Sequence, residues 1–197
     1  QTTDDGFVLG GYSYSGLSGE KMENSRGQED YWVVKLSTNG SIDWQKTIGG
    51  SGRDGLTGMQ QTSDGGYILG GYSNSRSSGE KTENSRGGYD YWVVKTDSNG
   101  IKQWDKRYGG DSYEELFSLQ LTNDGGYILG GWSTSGISGD KTQPSQGSGD
   151  YWIVKTDANG EIIWDKRFGG TEDDELIEIH QTNDEGYILG GWSYSGL

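Results

Sequence analysis

The stretch LTNDGGYILGGWS, residues 121–133, decides the fold because it recurs along the chain at a fixed interval. Near copies occupy 1–13, 61–73 and 181–193, so the repeat is 60 residues long and contains no insertion or deletion. Self-similarity at such a period is typical of stacked supersecondary units, each of which buries its apolar side chains against its neighbours.

Each repeat is predicted to contain four short β-strands. In one such four-stranded repeat these strands are 115–122, 126–133, 150–156 and 161–168. Alternation of apolar and polar residues in the first of them predicts that Phe117, Leu119 and Leu121 share a buried face. All four segments are short and bounded by turns, and no helical pattern competes with them.

Two tight hairpin turns are predicted in each repeat. The sequences NDGG and DANG favour such turns because Gly after Asp or Asn readily adopts the positive φ that they require. Asp64, Asp124 and Asp184 are predicted to cap one of the two turns, since Asp side chains accept hydrogen bonds from the backbone there.

Four antiparallel strands per repeat predict an all-β chain whose repeats are the blades of a partial β-propeller. The alternative is a β-solenoid, which would favour shorter rungs and parallel pairing. Propellers use about 4–8 blades, which is more than this chain supplies. We therefore expect the chain to be a fragment of one longer propeller domain, in which it packs against neighbouring repeats. The alternative is a ring assembled from several copies of the chain. The predicted units are 1–60, 61–120, 121–180 and the partial unit 181–197.

The composition excludes several classes of protein. A net charge of −14 opposes binding to nucleic acid or to an anionic membrane. No apolar run reaches the roughly 18 residues of a membrane span, so membrane insertion is not expected. The chain has no Cys, which excludes a disulfide framework and a thiolate metal site.

The motifs DGGYILGGYSNS, SGEKTENSRGGYDYWVVKTDSNG and W-x-K-x-x-GG resemble the repeats of large secreted proteins of Bacteroidota that carry a C-terminal type IX secretion sorting domain. The resemblance covers the whole chain. It implies a propeller fold, export, and an extracellular or cell-surface location. It implies no functional residues.

The functional surface is predicted on the loops at one end of the strands. The loop 73–90 is long and polar, and loops held by a rigid scaffold commonly carry binding function. The recurring Trp32, Trp92 and Trp152 are expected in the core, so the Tyr that precedes each Trp is predicted to point outward. The predicted ligand contacts are Tyr113, Tyr91, Tyr151, Lys81, Arg86 and Lys141.

No cofactor is expected. The alternative is a calcium site formed by acidic residues between the repeats. Ca²⁺ takes about 6–8 oxygen ligands. The predicted ligands are Asp173, Asp174, Glu175, Asp111, Glu114 and Glu115. The favoured interpretation is that these acids are ordinary loop charges, because their spacing matches no EF-hand or nonapeptide calcium repeat.

The predicted function is a non-catalytic binding, adhesion or display module that presents polar loops to a glycan or a surface protein. An active site is a singular constellation of groups, whereas the distinctive residues here recur in every repeat. With one His and no Cys, the sequence offers no plausible nucleophile–base pair, so enzyme activity is not expected. The alternatives are a structural spacer or filament subunit and, third, a glycosidase-like propeller that uses two close carboxylates.

Overall fold

The computed structural model describes residues 1–196, which form thirteen β-strands. No helix among these residues is long and apolar enough to cross a membrane. The strands are β1 (Phe7–Ser13), β2 (Asp30–Leu36), β3 (Ile42–Ile48), β4 (Asp54–Gln61), β5 (Tyr67–Ser73), β6 (Asp90–Thr96), β7 (Lys102–Tyr108), β8 (Glu114–Leu121), β9 (Tyr127–Ser133), β10 (Asp150–Thr156), β11 (Ile162–Phe168), β12 (Asp174–Gln181) and β13 (Tyr187–Ser193).

These strands form sheets in which neighbours in space are also neighbours in sequence. The sheet orders are β1-β2-β3, β4-β5-β6-β7, β11-β10-β9-β8 and β12-β13. The predicted strand 150–156 coincides with β10, and the other three strands predicted in that repeat match β8, β9 and β11 to within one residue. Pairing in the sheets is antiparallel, unlike the parallel rungs expected of a β-solenoid.

A β-bulge changes which residues of β8 are buried. The register between β8 and β9 shifts directly after Leu116, so strict alternation is lost at that point. Leu116 and Leu119 are buried, at 0% and 5% exposure, while Phe117 and Leu121 are only partly buried. The prediction that Phe117, Leu119 and Leu121 share one buried face is therefore wrong, because the bulge inserts an extra residue between the two buried leucines.

The described chain divides into two compact units. Unit 1 consists of residues 1–85 and 93–106, and unit 2 of residues 86–92 and the remainder from Arg107 onward. In unit 1, β4 packs against β1 and β2. In unit 2, β12 packs against β8, β9 and β10.

The core of unit 2 lies between β12 and the sheet that precedes it. Ile128 and Ile153 of that sheet meet Leu176 and Ile179 of β12, and all four side chains are at most 3% exposed. Burial of apolar area of this kind is the main favourable term in folding. Packing of one repeat's sheet on the first strand of the next therefore supplies the core that a single sheet lacks.

Two of the three recurring tryptophans of the third strands are in the core, as predicted. Trp92 and Trp152 are completely buried, and Trp32 is partly buried. In unit 2, the Trp152 ring packs 4.9 Å from that of Tyr91, and its Nε1 donates a hydrogen bond of 3.0 Å to Asp165. The polar edge of this buried ring is thus satisfied within the sheet.

Candidate functional site

Three loops connect the second and third strands of a repeat, namely residues 14–29, 74–89 and 134–149. The first lies wholly in unit 1 and the third wholly in unit 2, and we call these two the long loops. Each contains a short antiparallel bridge that ends at a Lys, between Ser18 and Lys21 in the first and between Ser138 and Lys141 in the second. The bridged turns place a Gly at φ of 55° and 58°, where only Gly is free of strain. The two long loops therefore have the same local construction.

The long loop of unit 2 is organised around a buried lysine. Lys141 is 2% exposed, and its Nζ donates to the Gln143 carbonyl at 2.9 Å and to Ser145 Oγ at 3.3 Å. Burial lowers the pKa of Lys141, and the negative charges of Asp150 and Glu114 oppose that shift. The ammonium group acts as an internal donor that fixes the Gln143 carbonyl and the Ser145 hydroxyl.

The equivalent lysines in unit 1 are buried as well. Lys21 is 5% exposed, and its Nζ donates to the carbonyl of Glu23 at 2.8 Å and to the hydroxyl of Thr47. Lys81 is 2% exposed. The prediction that Lys81 and Lys141 contact a ligand on the loop surface is wrong, because both side chains are enclosed beneath their loops.

Hydrogen bonds close the base of the long loop of unit 2. Ser145 donates from its backbone N–H to the Ser135 carbonyl at 3.1 Å and from Oγ to the Ser133 carbonyl at 2.6 Å. Glu114, which is completely buried, accepts from Ser133 Oγ at 2.7 Å and from the Gly110 amide at 2.8 Å. Glu114 is therefore a structural acceptor at the base of the loop.

Two other predicted calcium ligands also accept hydrogen bonds from the protein. Asp174 accepts from the Gly170 amide at 2.7 Å and from Ser195 Oγ at 3.0 Å. Asp111 accepts from Ser138 Oγ at 2.9 Å. The Asp111 bond ties the connection between repeats to the long loop, and the Asp174 bonds tie the next connection to the segment after β13. These bonds account for acids at both positions without a cation.

The remaining predicted calcium ligands repel one another. Burial, followed by the charge of Glu175, raises the pKa of Glu115, and burial, followed by the charge of Asp173, raises the pKa of Glu175. Residues 1–196 contain no group of three or more His, Cys, Asp or Glu side chains arranged to hold a metal ion. Calcium binding here stays a prediction.

The tyrosines predicted as ligand contacts lie in different environments. Tyr91 is completely buried, and its hydroxyl donates to the Trp152 carbonyl at 2.8 Å; burial raises its pKa well above the usual value. Tyr151 is partly buried, with its hydroxyl 3.5 Å from the Trp192 carbonyl. The predicted exposure of Tyr91 is wrong because both faces of β6 are covered. Tyr113 is 50% exposed and remains available.

Arginine–carboxylate pairs connect each long loop to the part of loop 74–89 that lies in the same unit. In unit 2, Arg86 pairs with Asp140 at 2.6 Å, and its Nη1 also donates to the Gly109 carbonyl at 2.8 Å. In unit 1, Arg26 pairs with Glu80 at 2.8 Å. Arg86 is partly exposed, so it contributes both to loop packing and to the predicted binding surface.

A close carboxylate pair, which the glycosidase alternative requires, is present in unit 2 in buried form. Asp150 and Asp174 are 0% and 3% exposed. An oxygen of each would lie within 2.7 Å of a Cβ added at Gly169, so the two carboxylates face each other. Their burial and their hydrogen bonds to backbone amides make them parts of the loop framework.

The turn ends of the strands contain a cavity that the sequence patterns did not predict. In unit 2 it measures about 330 Å³ and is lined by Asp124, Lys155, Trp164 and Tyr187, among others. Asp124 is a turn cap, as predicted, accepting from the Gly126 amide at 3.1 Å. Asp124, Lys155 and Trp164 each recur at the 60-residue interval, and this joint recurrence could have predicted the cavity from the sequence.

Comparison with known proteins assigns no family to this chain. It matches no protein-family profile and no curated protein. Among solved structures it is similar to a protein of unknown function from Bacteroides caccae, with 10% identity and a TM-score of 0.49 over 80% of this chain and 46% of that chain. The chain therefore spans less than half of that protein's length, and the likeness carries no functional argument.

Proposed function

We propose that this chain is part of an extracellular, non-catalytic β-propeller module of the secreted Bacteroidota repeat type, and that it presents its long loops to a glycan or a surface protein. Four-stranded antiparallel sheets of consecutive strands, repeated in sequence, are what a propeller blade requires. Packing of β12 on the preceding sheet in unit 2 supports the same arrangement.

The observation that carries the proposal is the set of internal hydrogen bonds that hold the long loops. In unit 2, the buried Lys141 and the serines at the loop base hold the backbone from inside, while Gly136, Thr142, Gln146 and Ser148 remain exposed. A surface ordered before binding loses less conformational entropy when a partner docks. Exposed polar loops on a fixed framework therefore suit recognition of a polar partner.

The recurrence of the buried polar groups supports a role in structure rather than in catalysis. Lys21, Lys81 and Lys141 occupy equivalent positions in successive repeats and are all buried. Glu114 and Asp174 also occupy equivalent positions, and each accepts a Ser hydroxyl and a Gly amide. Groups repeated in this way build the same loop each time, and a catalytic centre would need a different set of groups in one place.

Binding arrays test the proposal. The chain is screened against immobilised glycans and surface proteins beside the variant Tyr113→Ala, which truncates a half-exposed ring at the loop end of β8. The matched control is Ile177→Ala, because Ile177 is 48% exposed on β12 and lies outside the loops. We expect a bound partner whose affinity falls in Tyr113→Ala and is unchanged in Ile177→Ala. Absence of any partner for the folded chain, or equal effects of both variants, would contradict the proposal.

A further inference from the structure

A cavity at the turn end of unit 2 combines aromatic rings with an ion pair. It lies at the opposite end of β9 from the long loop. Trp164 and Tyr187 form one wall, with ring centres 5.9 Å apart and planes inclined at 70°. Lys155 and Asp124 form a 2.9 Å ion pair at another wall, and Gln181 adds an amide.

Unit 1 contains a cavity of the same construction. Its volume is also about 330 Å³. Trp44 and Tyr67 lie 5.8 Å apart at 67°, Lys35 pairs with Asp4 at 3.0 Å, and Gln61 adds the amide. Each of these residues lies two repeats before its counterpart in unit 2. The cavity is thus a product of the repeat, and its polar and aromatic groups recur together.

Polar groups on the aromatic walls have no protein partner. Tyr67 is only 1% exposed, yet its hydroxyl has no hydrogen-bond partner within the described residues. Across residues 1–196, the Tyr187 hydroxyl and the Nε1 of Trp44 and Trp164 also lack a hydrogen bond. These residues line the two cavities, so their donors are free to bond a ligand that enters.

Charge and size define the chemical class of that ligand. The ion pair neutralises each lysine, and Asp43 in unit 1 and Glu185 in unit 2 add one further negative charge to each cavity. An anionic ligand is therefore disfavoured. The cavity volume of about 330 Å³ lies near the lower limit of roughly 300–1,000 Å³ for small-molecule sites.

We propose that each turn-end cavity binds one ring of a neutral saccharide. The C–H face of a sugar ring packs on an aromatic side chain, while its hydroxyls accept from tyrosine and indole donors and donate to the carboxylate of the ion pair. The site is separate from the long loops, so it stands independently of the loop-binding function proposed above.

The test uses neutral methyl glycosides as probes and the indole N–H signals of Trp44 and Trp164 as the readout in NMR titrations. The double variant Tyr67→Phe/Tyr187→Phe removes the unpartnered hydroxyl from both cavities and retains both rings. The matched control is Tyr194→Phe, because Tyr194 is 72% exposed and lines neither cavity.

The expected result is that at least one glycoside shifts both indole signals, with affinity about tenfold weaker in the double variant and unchanged in the control. The thermal midpoint of the double variant should not fall, because the hydroxyls hold no protein partner. Tyr113→Ala should retain glycoside binding, which separates this site from the loop surface. The proposal is overturned if no neutral glycoside shifts the indole signals, or if the double variant binds as well as the parent chain.

Discussion

The strands β9 and β13 have the same seven residues, YILGGWS, but differ in burial. In β9, Ile128 and Leu129 are completely buried. In β13, Ile188 is 61% exposed and Leu189 is only partly buried. The amino-acid sequence of the strand therefore does not determine its environment.

The difference comes from the neighbours of each strand within unit 2. β9 is an interior strand, paired with both β8 and β10, and β12 packs against its face. Within the described residues, β13 pairs only with β12. The comparison teaches that the repeat gains its core from the adjacent sheet, as expected for stacked units in which each interface contributes to stability.

The largest expected difference in the free energy of unfolding is between two matched isoleucine truncations, one in β9 and one in β13. Ile128→Ala leaves a cavity in the cluster with Ile153, Leu176 and Ile179, and should lower the free energy of unfolding by about 3 kcal/mol. Ile188→Ala at the same heptapeptide position should lower it by less than about 0.5 kcal/mol. Equilibrium denaturation with urea measures both, and similar losses in the two variants would contradict the comparison.

Glycine substitutions test the same pair of strands by adding a methyl group. A Cβ at Gly130 would lie 2.5 Å from Leu176 Cδ2 and 3.3 Å from Ile179 Cγ2, so Gly130→Ala should destabilise the protein by about 1–2 kcal/mol. A Cβ at Gly190 meets only the Glu178 carbonyl, at 4.0 Å. Gly190→Ala should leave stability unchanged or raise it by up to about 1 kcal/mol. Destabilisation by both variants alike would contradict the packing described here.

Substitutions in the turns that precede β9 and β13 should change the stability of the protein in opposite directions. Gly125 before β9 has φ of 83°, and Glu185 at the equivalent position before β13 has φ of 67°. A side chain in this left-handed region costs about 1 kcal/mol. Glu185→Gly should therefore stabilise the protein by about that amount, and Gly125→Ala should destabilise it similarly. Thermal unfolding checks the signs, and two changes of the same sign would be inconsistent with these backbone angles.

The smallest expected effect is the response of the two turn aspartates to acid. The Thr122 hydroxyl and then the Lys155 ammonium lower the pKa of Asp124 to about 2. The carboxyl group of Asp124 binds its proton more weakly in the folded state than in the unfolded state. Its contribution to folding stability is therefore fully present above the ordinary pKa of about 3.9. That contribution is lost as the pH falls toward 2.

The pKa of Asp184 is lowered by the Thr182 hydroxyl and the Gly186 amide, without a lysine among its causes. Asp124→Asn should therefore flatten the dependence of the thermal midpoint on pH between about 2 and 4 more than Asp184→Asn does. Added salt should weaken only the Asp124 effect, since of the two carboxylates only Asp124, which is 57% exposed, pairs with a lysine. Identical dependence of the thermal midpoint on pH in the two variants would contradict a stabilising contact between Lys155 and Asp124.

The 60-residue interval predicted the strands and turns because both depend on local residues. It did not predict the bulge after Leu116, since a register shift is set by two paired strands together. The burial of Tyr91 and Lys141 was also missed, because alternation and charge alone do not show that a second layer or a loop covers a side chain. The turn-end cavities combine residues from two successive repeats, so no single sequence motif marks them.

Amide hydrogen exchange of the two identical heptapeptides tests the central claim most directly, since it compares one sequence in two environments within one molecule. If adjacent strands and the next sheet determine protection, amides of Tyr127–Ser133 should exchange at least about a hundredfold more slowly on average than those of Tyr187–Ser193. Equal exchange rates in the two segments would contradict the account.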